Sequence, residues 1–472
     1  MTAEWVTAHA PTFVGRHDPG HRAQRAPVPA RLGAWVAANR AAVAVLSITC
    51  ASALCLAFAC VPQTDFHVYF DGARDLFSGD LYTHSYRGEL FTYPPFAAVF
   101  FLPLQLLPGD TAAQVVWALL NEAALLGLLN VSIRANRPGL GARARLFWVL
   151  GLSLPATLLD PVLLGFRDGQ VDLFVTLLVA WDLLGDRRLG GRTVPAGMAS
   201  GVAAAIKLTP LVFVPYLLLT RRSRAAWCCA GTFVAAETLA FLVAPSASRA
   251  YWTHYLFDYK RLGGFQGLHG VLGSANQSLL GALTRLNHGE VPAPLLTVVV
   301  VVVAVAGLVL AARVHARWSP VLGVILCATT GLLVSPVSWT HHMTWVIPAV
   351  AWLAVSPDRP TWGRPAAAGT AVLFVSAPVW WVSDEGTAPL HEGGWRMVAG
   401  NSFFLWMGLF VIMCGVTILG SGTRTPGTDG DSGRPTGTKV PTRPPVSLSP
   451  VHGPVPARHG RTAALHAPSF FL

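Results

Sequence analysis

The stretch Ala41–Val61, AAVAVLSITCASALCLAFACV, decides the class of fold. It carries no charged residue, and about 20 apolar residues are enough for a helix to cross roughly 30 Å of hydrocarbon. Forty residues, several of them arginines, precede it. A leader of that length and composition predicts a membrane anchor and not a cleaved signal peptide.

The composition of the whole chain extends this prediction. Hydrophobic residues make up 53% of the 472 residues and charged residues only 12%, and the mean hydropathy is +0.50. A single soluble core cannot hide that much apolar surface, so we expect an all-α polytopic membrane protein. The net charge of +11 could suit nucleic acid, but the basic residues form short clusters between apolar runs and no continuous stripe. We therefore expect no nucleic-acid partner.

The basic clusters predict the topology, because arginine and lysine concentrate in cytoplasmic loops. The clusters lie at 134–145, 187–192, 221–224, 313–317 and 359–364. The predicted spans are 41–61, 111–133, 146–165, 171–184, a broken pair within 193–220, then 225–244, 292–312, 321–334, 343–355, 366–381 and 403–420. The total is about 12 crossings, with a re-entrant or interfacial segment at 96–107. A multispanning domain at 41–420 would then lie between disordered cytoplasmic termini at 1–40 and 421–472, which contain too little apolar surface to fold.

The loops that remain fall on the outer face and hold most of the residues capable of chemistry. The first outer loop carries Asp65, Asp71, Asp75 and Asp80. Asp65 lies nearest the membrane, with Tyr69 one helical turn later, and partial desolvation would make it a better proton acceptor than an exposed carboxylate. Asp75 and Asp80 instead fit the solvated face of a helix that stops at Gly79.

Two further outer segments offer binding groups. In LFTYPPFAAVFFLPL, Leu90–Leu104, the prolines after Tyr93 force an extended entry, which is either a plain helix start or a rigid wall beside the Asp65 loop. In GSANQSLLGALTRL, Gly273–Leu286, the amides of Asn276 and Gln277 suit a hydroxyl-rich ligand such as a sugar, but they also suit helix capping.

Ionisable residues beside apolar runs complete the candidate set. In SPVSWTHHMTW, Ser335–Trp345, an aromatic belt explains Trp339, but adjacent His341 and His342 at a membrane boundary favour one histidine facing a cavity. A metal site would need more ligands than this pair, so we expect none. Lys207 lies within an apolar stretch and either snorkels to the surface or serves a site. GQVDLF places Gln170 and Asp172 near the same face.

At these residues the sequence resembles the polyprenyl-phosphate-mannose-dependent α-1,2-mannosyltransferases of actinobacteria, glycosyltransferase family 87. The resemblance runs in order through DFHVY, FTYPPFAAVFFLPL, GQVDLFVTLLVAWDLL, AAAIKLTPLVFVPYLLL, NQSLLG and SPVSWTHHMTWVIP. It implies a C-type glycosyltransferase fold with an outer-face cavity and neither a nucleotide sugar nor a cofactor. The partners it implies are a polyprenyl-phosphate sugar donor and a glycolipid or lipid-anchored glycan acceptor, both in the lipid bilayer.

The resemblance also assigns roles to residues. The catalytic aspartate of the family corresponds to Asp65, and its outer-face histidine to His341 or His342. Lys207, one of the histidines or Arg285 would face the donor phosphate. An arabinofuranosyltransferase with a polyprenyl-phosphate donor is the alternative within the enzyme class. A lipid or glycan transporter is the alternative outside it, although repeated halves and mid-bilayer charges are not evident.

Overall fold

The computed structural model describes residues 37–258, 261–262, 268–382 and 388–421, so most of both predicted disordered termini lies outside the described residues. The α-helices are α1 (Arg40–Ala59), α2 (Thr64–Arg74), α3 (Pro95–Phe101), α4 (Asp110–Asn136), α5 (Ala142–Gly151), α6 (Ser153–Thr157), α7 (Asp160–Asp168), α8 (Asp172–Leu184), α9 (Met198–Ile206), α10 (Phe213–Leu219), α11 (Ser223–Val243), α12 (Pro245–Thr253), α13 (Leu268–Leu272), α14 (Leu279–Leu286), α15 (Ala293–Arg317), α16 (Pro320–Val334), α17 (Val346–Val355), α18 (Gly363–Ser376), α19 (Trp395–Gly400) and α20 (Ser402–Ser421). Short 3₁₀ helices lie at Asp75–Phe77, Leu102–Leu106, Thr209–Val212, Tyr255–Phe257, Thr340–Trp345, Pro378–Trp381 and Ala388–Leu390.

Five of the described helices are long and apolar enough to cross a membrane: α1, α4, α11, α15 and α20. In the most apolar 18-residue stretch of α15, only 6% of the residues are buried within the protein. Val298 and Val302 on this helix are 60% and 59% exposed, which would be costly in water over so long a surface but is favourable against lipid. The all-α membrane class is confirmed, whereas the count of about 12 crossings stays a prediction.

The predicted span at 146–165 is not one continuous helix, and its crossing of the membrane stays a prediction. The chain there forms α5, α6 and α7, separated by a kink at Leu152 and an extended residue at Leu159. Pro155 lies in the first turn of α6 and Pro161 in that of α7, where the missing N–H costs nothing. Proline at these positions favours new helix starts over one continuous helix.

The broken pair within 193–220 is confirmed. Helix α9 ends at Ile206, Lys207 is extended with φ −150° and ψ 124°, and the chain resumes through the 3₁₀ helix Thr209–Val212 into α10. The predicted short segment at 96–107 forms α3 and a 3₁₀ helix, and Gly109 with φ +88° then turns the chain into α4. The placement of the 96–107 segment in a membrane stays a prediction.

Two antiparallel ladders of two residues each interrupt the helices: β1 (Ser85–Tyr86) with β2 (Glu89–Leu90), and β3 (Arg188–Leu189) with β4 (Arg192–Thr193). The first hairpin closes the loop that follows α2. Asp75 fixes it, because its carboxylate accepts hydrogen bonds from Tyr86 at 3.1 Å and from the His84 ring at 2.7 Å. Asp75 is therefore an anchor for this hairpin and not merely part of a solvated helix face, whereas Asp80 is exposed as expected.

Packing brings the candidate segments together. Helix α8 packs on α4, α7 and α9, and the 3₁₀ helix Thr340–Trp345 packs on α7 and α8. A hydrogen bond of 2.6 Å between the hydroxyls of Thr176 and Thr344 joins α8 to this 3₁₀ helix in the core. The start of α8, the break at Lys207 and the histidine segment are therefore neighbours, although up to 170 residues separate them in the chain.

Candidate active site

Two cavities of similar size share a wall. The first, about 440 Å³ in volume, is here called the polar cavity, because Asp65, Glu89, Asp168, Gln170 and His341 line it. The second, about 430 Å³, is called the apolar cavity, and its lining is mainly aromatic and aliphatic, with Lys207 and His342 among the polar residues. The shared wall consists of Thr92, Tyr93, Arg261, Leu262 and Trp339, which line both cavities.

Asp65 lies in the first turn of α2 and contributes its carboxylate to the polar cavity. Burial raises its pKa to about 7, and the neighbouring carboxylates of Asp168 and Glu89 add to this rise. A hydrogen bond from Gln170 and the positive charge of Lys207 act in the opposite direction but are smaller. A carboxylate with a pKa near neutrality is the type of group that suits proton abstraction at physiological pH.

The start of α2 is held against the turn between α7 and α8. The Gln63 side-chain amide donates a 2.6 Å hydrogen bond to the Phe166 carbonyl, and Trp117 Nε1 donates one of 2.8 Å to the Gly169 carbonyl. Gly169 has φ +73°, and a Cβ atom there would lie 2.6 Å from the Phe66 Cβ. Only glycine fits both the left-handed backbone and this close approach, so Gly169 sets the position of Asp65.

The predicted tyrosines form one network behind Asp65. The Tyr69 hydroxyl lies 2.7 Å from the Tyr93 hydroxyl and 2.7 Å from Gln170 Oε1. The two tyrosine rings meet edge to face, with centroids 4.9 Å apart. Tyr69 is almost fully buried, whereas Tyr93 reaches both cavities. The structure therefore gives Tyr93 access to a ligand and Tyr69 a supporting contact.

Lys207 does not snorkel to the surface. It is 8% exposed, and its Nζ lies 2.8 Å from Asp172 Oδ1 in a buried ion pair. Its ammonium also lies 5.6 Å from the centre of the Tyr93 ring. The helix break described above places this lysine at the edge of the apolar cavity, where its charge can meet an anionic ligand.

His341 and His342 face different cavities. His341 lines the polar cavity and His342 the apolar one, while their rings contact each other with centroids 4.7 Å apart. Burial and the positive charge of Lys207 hold the pKa of each imidazole well below its ordinary value. Both rings are therefore neutral at pH 7, so each can donate one hydrogen bond and offer one lone pair.

Asp172 also lies close to this pair. One ligand atom from each of Asp172, His341 and His342 can be chosen so that all three atoms lie within 4.8 Å of one another. The prediction that the histidine pair has no metal site rested on the lack of further ligands, and the fold supplies a third one.

Asn276 and Gln277 lie outside the lining of the described cavities. Both are fully buried, and their amides are used by the backbone: Gln277 Oε1 accepts from Phe403 N and Phe404 N, and Asn276 Oδ1 accepts from Ser338 N at 2.9 Å. Their prediction as donor or acceptor ligands does not fit this placement. They hold the segment that leads to Trp339 and the histidines, which is a positioning role.

Arg285 has a similar structural role. Its guanidinium donates to the carbonyls of Gly273 and Asn276 and to Asn401 Oδ1, and the residue is 1% exposed. It therefore braces the same loop and does not line either cavity, so it does not fit the predicted role as a phosphate partner. Trp339, by contrast, lies in the shared wall, as a ligand-binding residue would.

Sequence reasoning missed Glu89, Asp168 and Arg261 as cavity residues. Glu89 lies on the short strand β2, and Asp168 ends α7 one residue before Gly169. Arg261 donates to the Tyr82 carbonyl and its guanidinium stacks 4.3 Å from the Tyr255 ring centre. The sequence contains a signal for Asp168, because this residue directly precedes the GQVDLF motif.

Comparison with known proteins identifies the family to which this chain is similar. The model of glycosyltransferase family 87 matches residues 91–336, just over half of the chain. A Mycobacterium tuberculosis protein named polyprenol-phosphate-mannose-dependent α-(1-2)-phosphatidylinositol mannoside mannosyltransferase is 33% identical over 374 residues, which cover 75% of this chain and 83% of that protein. No solved structure matches the chain.

Two further relatives agree with this assignment. The M. tuberculosis enzyme named for phosphatidylinositol pentamannoside is 32% identical over 371 residues, covering 75% of this chain and 80% of its own length. Its counterpart in Mycolicibacterium smegmatis is 34% identical over 302 residues, covering 62% and 70%. With relatives more than 30% identical over three quarters of its length, the chain belongs to glycosyltransferase family 87.

Proposed function

We propose that this protein transfers mannose from polyprenyl-phosphate-mannose to a phosphatidylinositol mannoside or a similar glycolipid, forming an α-1,2 linkage with inversion. The observation that carries the proposal is that two adjoining cavities hold groups of opposite charge. A carboxylate with a pKa near 7 lies in the polar cavity, and a buried ammonium lies at the edge of the apolar one. The relatives' names supply the sugar and the class of acceptor.

The two cavities fit the two substrates. The apolar cavity, lined by residues such as Leu208, Val212 and Val334, suits the first isoprene units of the donor lipid, with the phosphate near Lys207 and His342. The polar cavity suits the sugar hydroxyls of the acceptor. The anomeric carbon would then lie beside the shared wall of Tyr93 and Trp339, between the acceptor hydroxyl and the phosphate.

The reaction follows from this arrangement. The acceptor hydroxyl oxygen attacks the anomeric carbon, the bond between that carbon and the phosphate oxygen breaks, and polyprenyl phosphate leaves with the bonding electron pair. Asp65 takes the hydroxyl proton as the new glycosidic bond forms. Lys207 and His342 stabilise the additional negative charge on the leaving phosphate. Attack from the face opposite the phosphate converts a β-linked donor into an α-linked product.

The outer face is the side of the membrane on which we place this chemistry. The basic clusters that predict cytoplasmic loops lie outside the cavity linings, whereas Asp65, Glu89 and His341 come from loops that lack such clusters. A donor whose phosphate stays at the interface can reach the apolar cavity from the bilayer without a nucleotide.

Transfer assays on purified protein in lipid test the proposal. Wild type should move radiolabelled mannose from polyprenyl-phosphate-mannose to phosphatidylinositol mannosides, and Asp65→Asn should lose roughly 10²–10⁴-fold in rate, since Asn cannot accept the proton. Asp80→Asn is the matched control, because Asp80 is an exposed carboxylate of the same loop. Near-normal transfer by Asp65→Asn would overturn the role of Asp65. Turnover of a polyprenyl-phosphate arabinofuranose donor in place of the mannose donor would overturn the choice of sugar.

A further inference from the structure

Buried groups without hydrogen-bond partners cluster at the junction of the two cavities. Within the described part of the chain, Asp172 Oδ2, His341 Nε2 and His342 Nδ1 each lie buried with no partner. Buried polar atoms are nearly always hydrogen-bonded, so three exceptions in neighbouring residues require an explanation. These residues also form the group whose ligand atoms can lie within 4.8 Å of one another.

The spacing suits one metal ion. Ligand atoms about 2.0 to 2.2 Å from a metal centre lie roughly 3 to 4 Å from one another, so small side-chain rotations bring this set onto an ion. A separate cavity of about 30 Å³ borders Asp172 and His342, together with Thr176 and Thr209. A volume of that size holds one water or one ion.

We propose that Asp172, His341 and His342 bind one divalent transition-metal ion at the junction of the two cavities. Two imidazoles and one carboxylate favour Zn²⁺, Mn²⁺ or a related first-row ion over Mg²⁺ or Ca²⁺, which prefer oxygen ligands throughout. Asp172 can serve both partners, because Oδ1 binds Lys207 and Oδ2 remains for the metal.

A phosphate bound directly by the two histidines explains the cluster less well. A phosphate oxygen placed among these three residues would face Asp172 Oδ2, a buried carboxylate oxygen that accepts no hydrogen bond from the described residues. A cation at that point accepts both imidazole lone pairs and the carboxylate. Its remaining coordination positions then open toward the donor phosphate, a role that rests on the proposed function, whereas the metal site itself rests on the geometry.

Metal binding can be measured without activity. Tag-free protein in nanodiscs is stripped with a chelating resin and titrated with Co²⁺, whose visible absorption reports imidazole and carboxylate ligation, and the metal content of the untreated protein is measured by mass spectrometry. We expect about one equivalent per chain in wild type. His341→Ala and Asp172→Asn should weaken Co²⁺ binding at least about 100-fold, since loss of even an outer-shell partner costs 10–100-fold.

Controls separate the metal site from the transfer reaction. His254→Ala removes an exposed histidine and should bind Co²⁺ like wild type. Asp172→Asn destabilises the fold by leaving Lys207 without its carboxylate, so His341→Ala carries the test if Asp172→Asn aggregates. Folded wild type that binds no Co²⁺, or a His341→Ala variant that binds it like the control, overturns the proposal. Stoichiometric, His341-dependent metal without mannosyl transfer supports the site and overturns the proposed function instead.

Discussion

The ionisation of Asp65 predicts how the rate depends on pH. Because the pKa of this carboxyl is raised to about 7, only about 10% of the protein carries the proton acceptor at pH 6 and about 90% at pH 8. We therefore expect kcat/KM for the donor to fall about tenfold per pH unit below pH 7 and to level off above it. Initial rates from pH 5 to 8.5, measured at a donor concentration below KM, test this.

The same shift has a consequence for stability, whose sign can be worked out. Below about pH 3.8 the carboxyl is protonated in both the folded and the unfolded protein, and Asp65 has no effect on pH dependence. Between pH 3.8 and 7 the unfolded chain loses its proton while the folded protein keeps it, so stability falls as pH rises. Above pH 7 the accumulated cost is constant and amounts to at most about 4 kcal/mol at 1.36 kcal/mol per unit.

Asp65→Asn removes this cost because the amide stays neutral. The thermal unfolding midpoint of Asp65→Asn should therefore exceed that of wild type at pH 8, and the gap should narrow toward pH 5 as wild-type Asp65 becomes protonated. Loss of turnover together with a gain in stability is the behaviour of an active-site group held in an unfavourable environment for function. The reasoning is refuted if kcat/KM begins to fall only near pH 4. It is also refuted if the difference between the unfolding midpoints of Asp65→Asn and wild type does not change with pH.

Two further predictions concern the charges around the cavities, and a third concerns the membrane topology. Asp168→Asn should move the fall of kcat/KM at acid pH to lower pH, because the Asp168 carboxylate helps to raise the pKa of Asp65. Lys207→Met should abolish turnover and lower the thermal midpoint, since it leaves Asp172 buried and unpaired, and adding Asp172→Asn should restore the midpoint but not turnover. In a variant without native cysteines, Ser78→Cys should react with an impermeant thiol reagent in intact cells, and Ser223→Cys should not.

Each of these predictions has an outcome that contradicts it. If kcat/KM of Asp168→Asn falls at the same pH as in wild type or at a higher pH, the Asp168 carboxylate does not raise the pKa of Asp65. A double variant no more stable than Lys207→Met would show that the ion pair contributes little beyond its two separate residues. Reversed labelling of the two cysteines would place the cavities on the cytoplasmic side, where the outer-face proposal fails.

The sequence points to the ionisable residues that line the cavities, because the cost of placing such residues beside apolar runs is visible locally. Lys207 interrupts an apolar stretch, and the two histidines adjoin one, so each is expensive unless a cavity or partner receives it. The break at Lys207 was predictable for the same kind of reason. The 28 residues between two basic clusters are too few for two full spans and a turn.

The differences between prediction and structure come from contacts between distant parts of the chain. Asn276 and Gln277 look like sugar ligands from the sequence, but Gln277 is held by Gly400, Phe403 and Phe404, more than 120 residues away. Glu89 becomes a cavity residue only when the first hairpin packs beside α2. No local pattern contains that information, since the cavity wall is assembled from at least five separate segments.

The separation of the two histidines follows from the same assembly. Adjacent residues point about 100° apart on a helix, and the tighter 3₁₀ turn at Thr340–Trp345 widens the divergence to about 120°. His341 therefore enters the polar cavity and His342 the apolar one. A pair that straddles the shared wall can contact the acceptor side and the phosphate side of one reacting bond at once. Under the proposed function, two adjacent histidines therefore reach both sides of the bond that is exchanged, which a single histidine could not do.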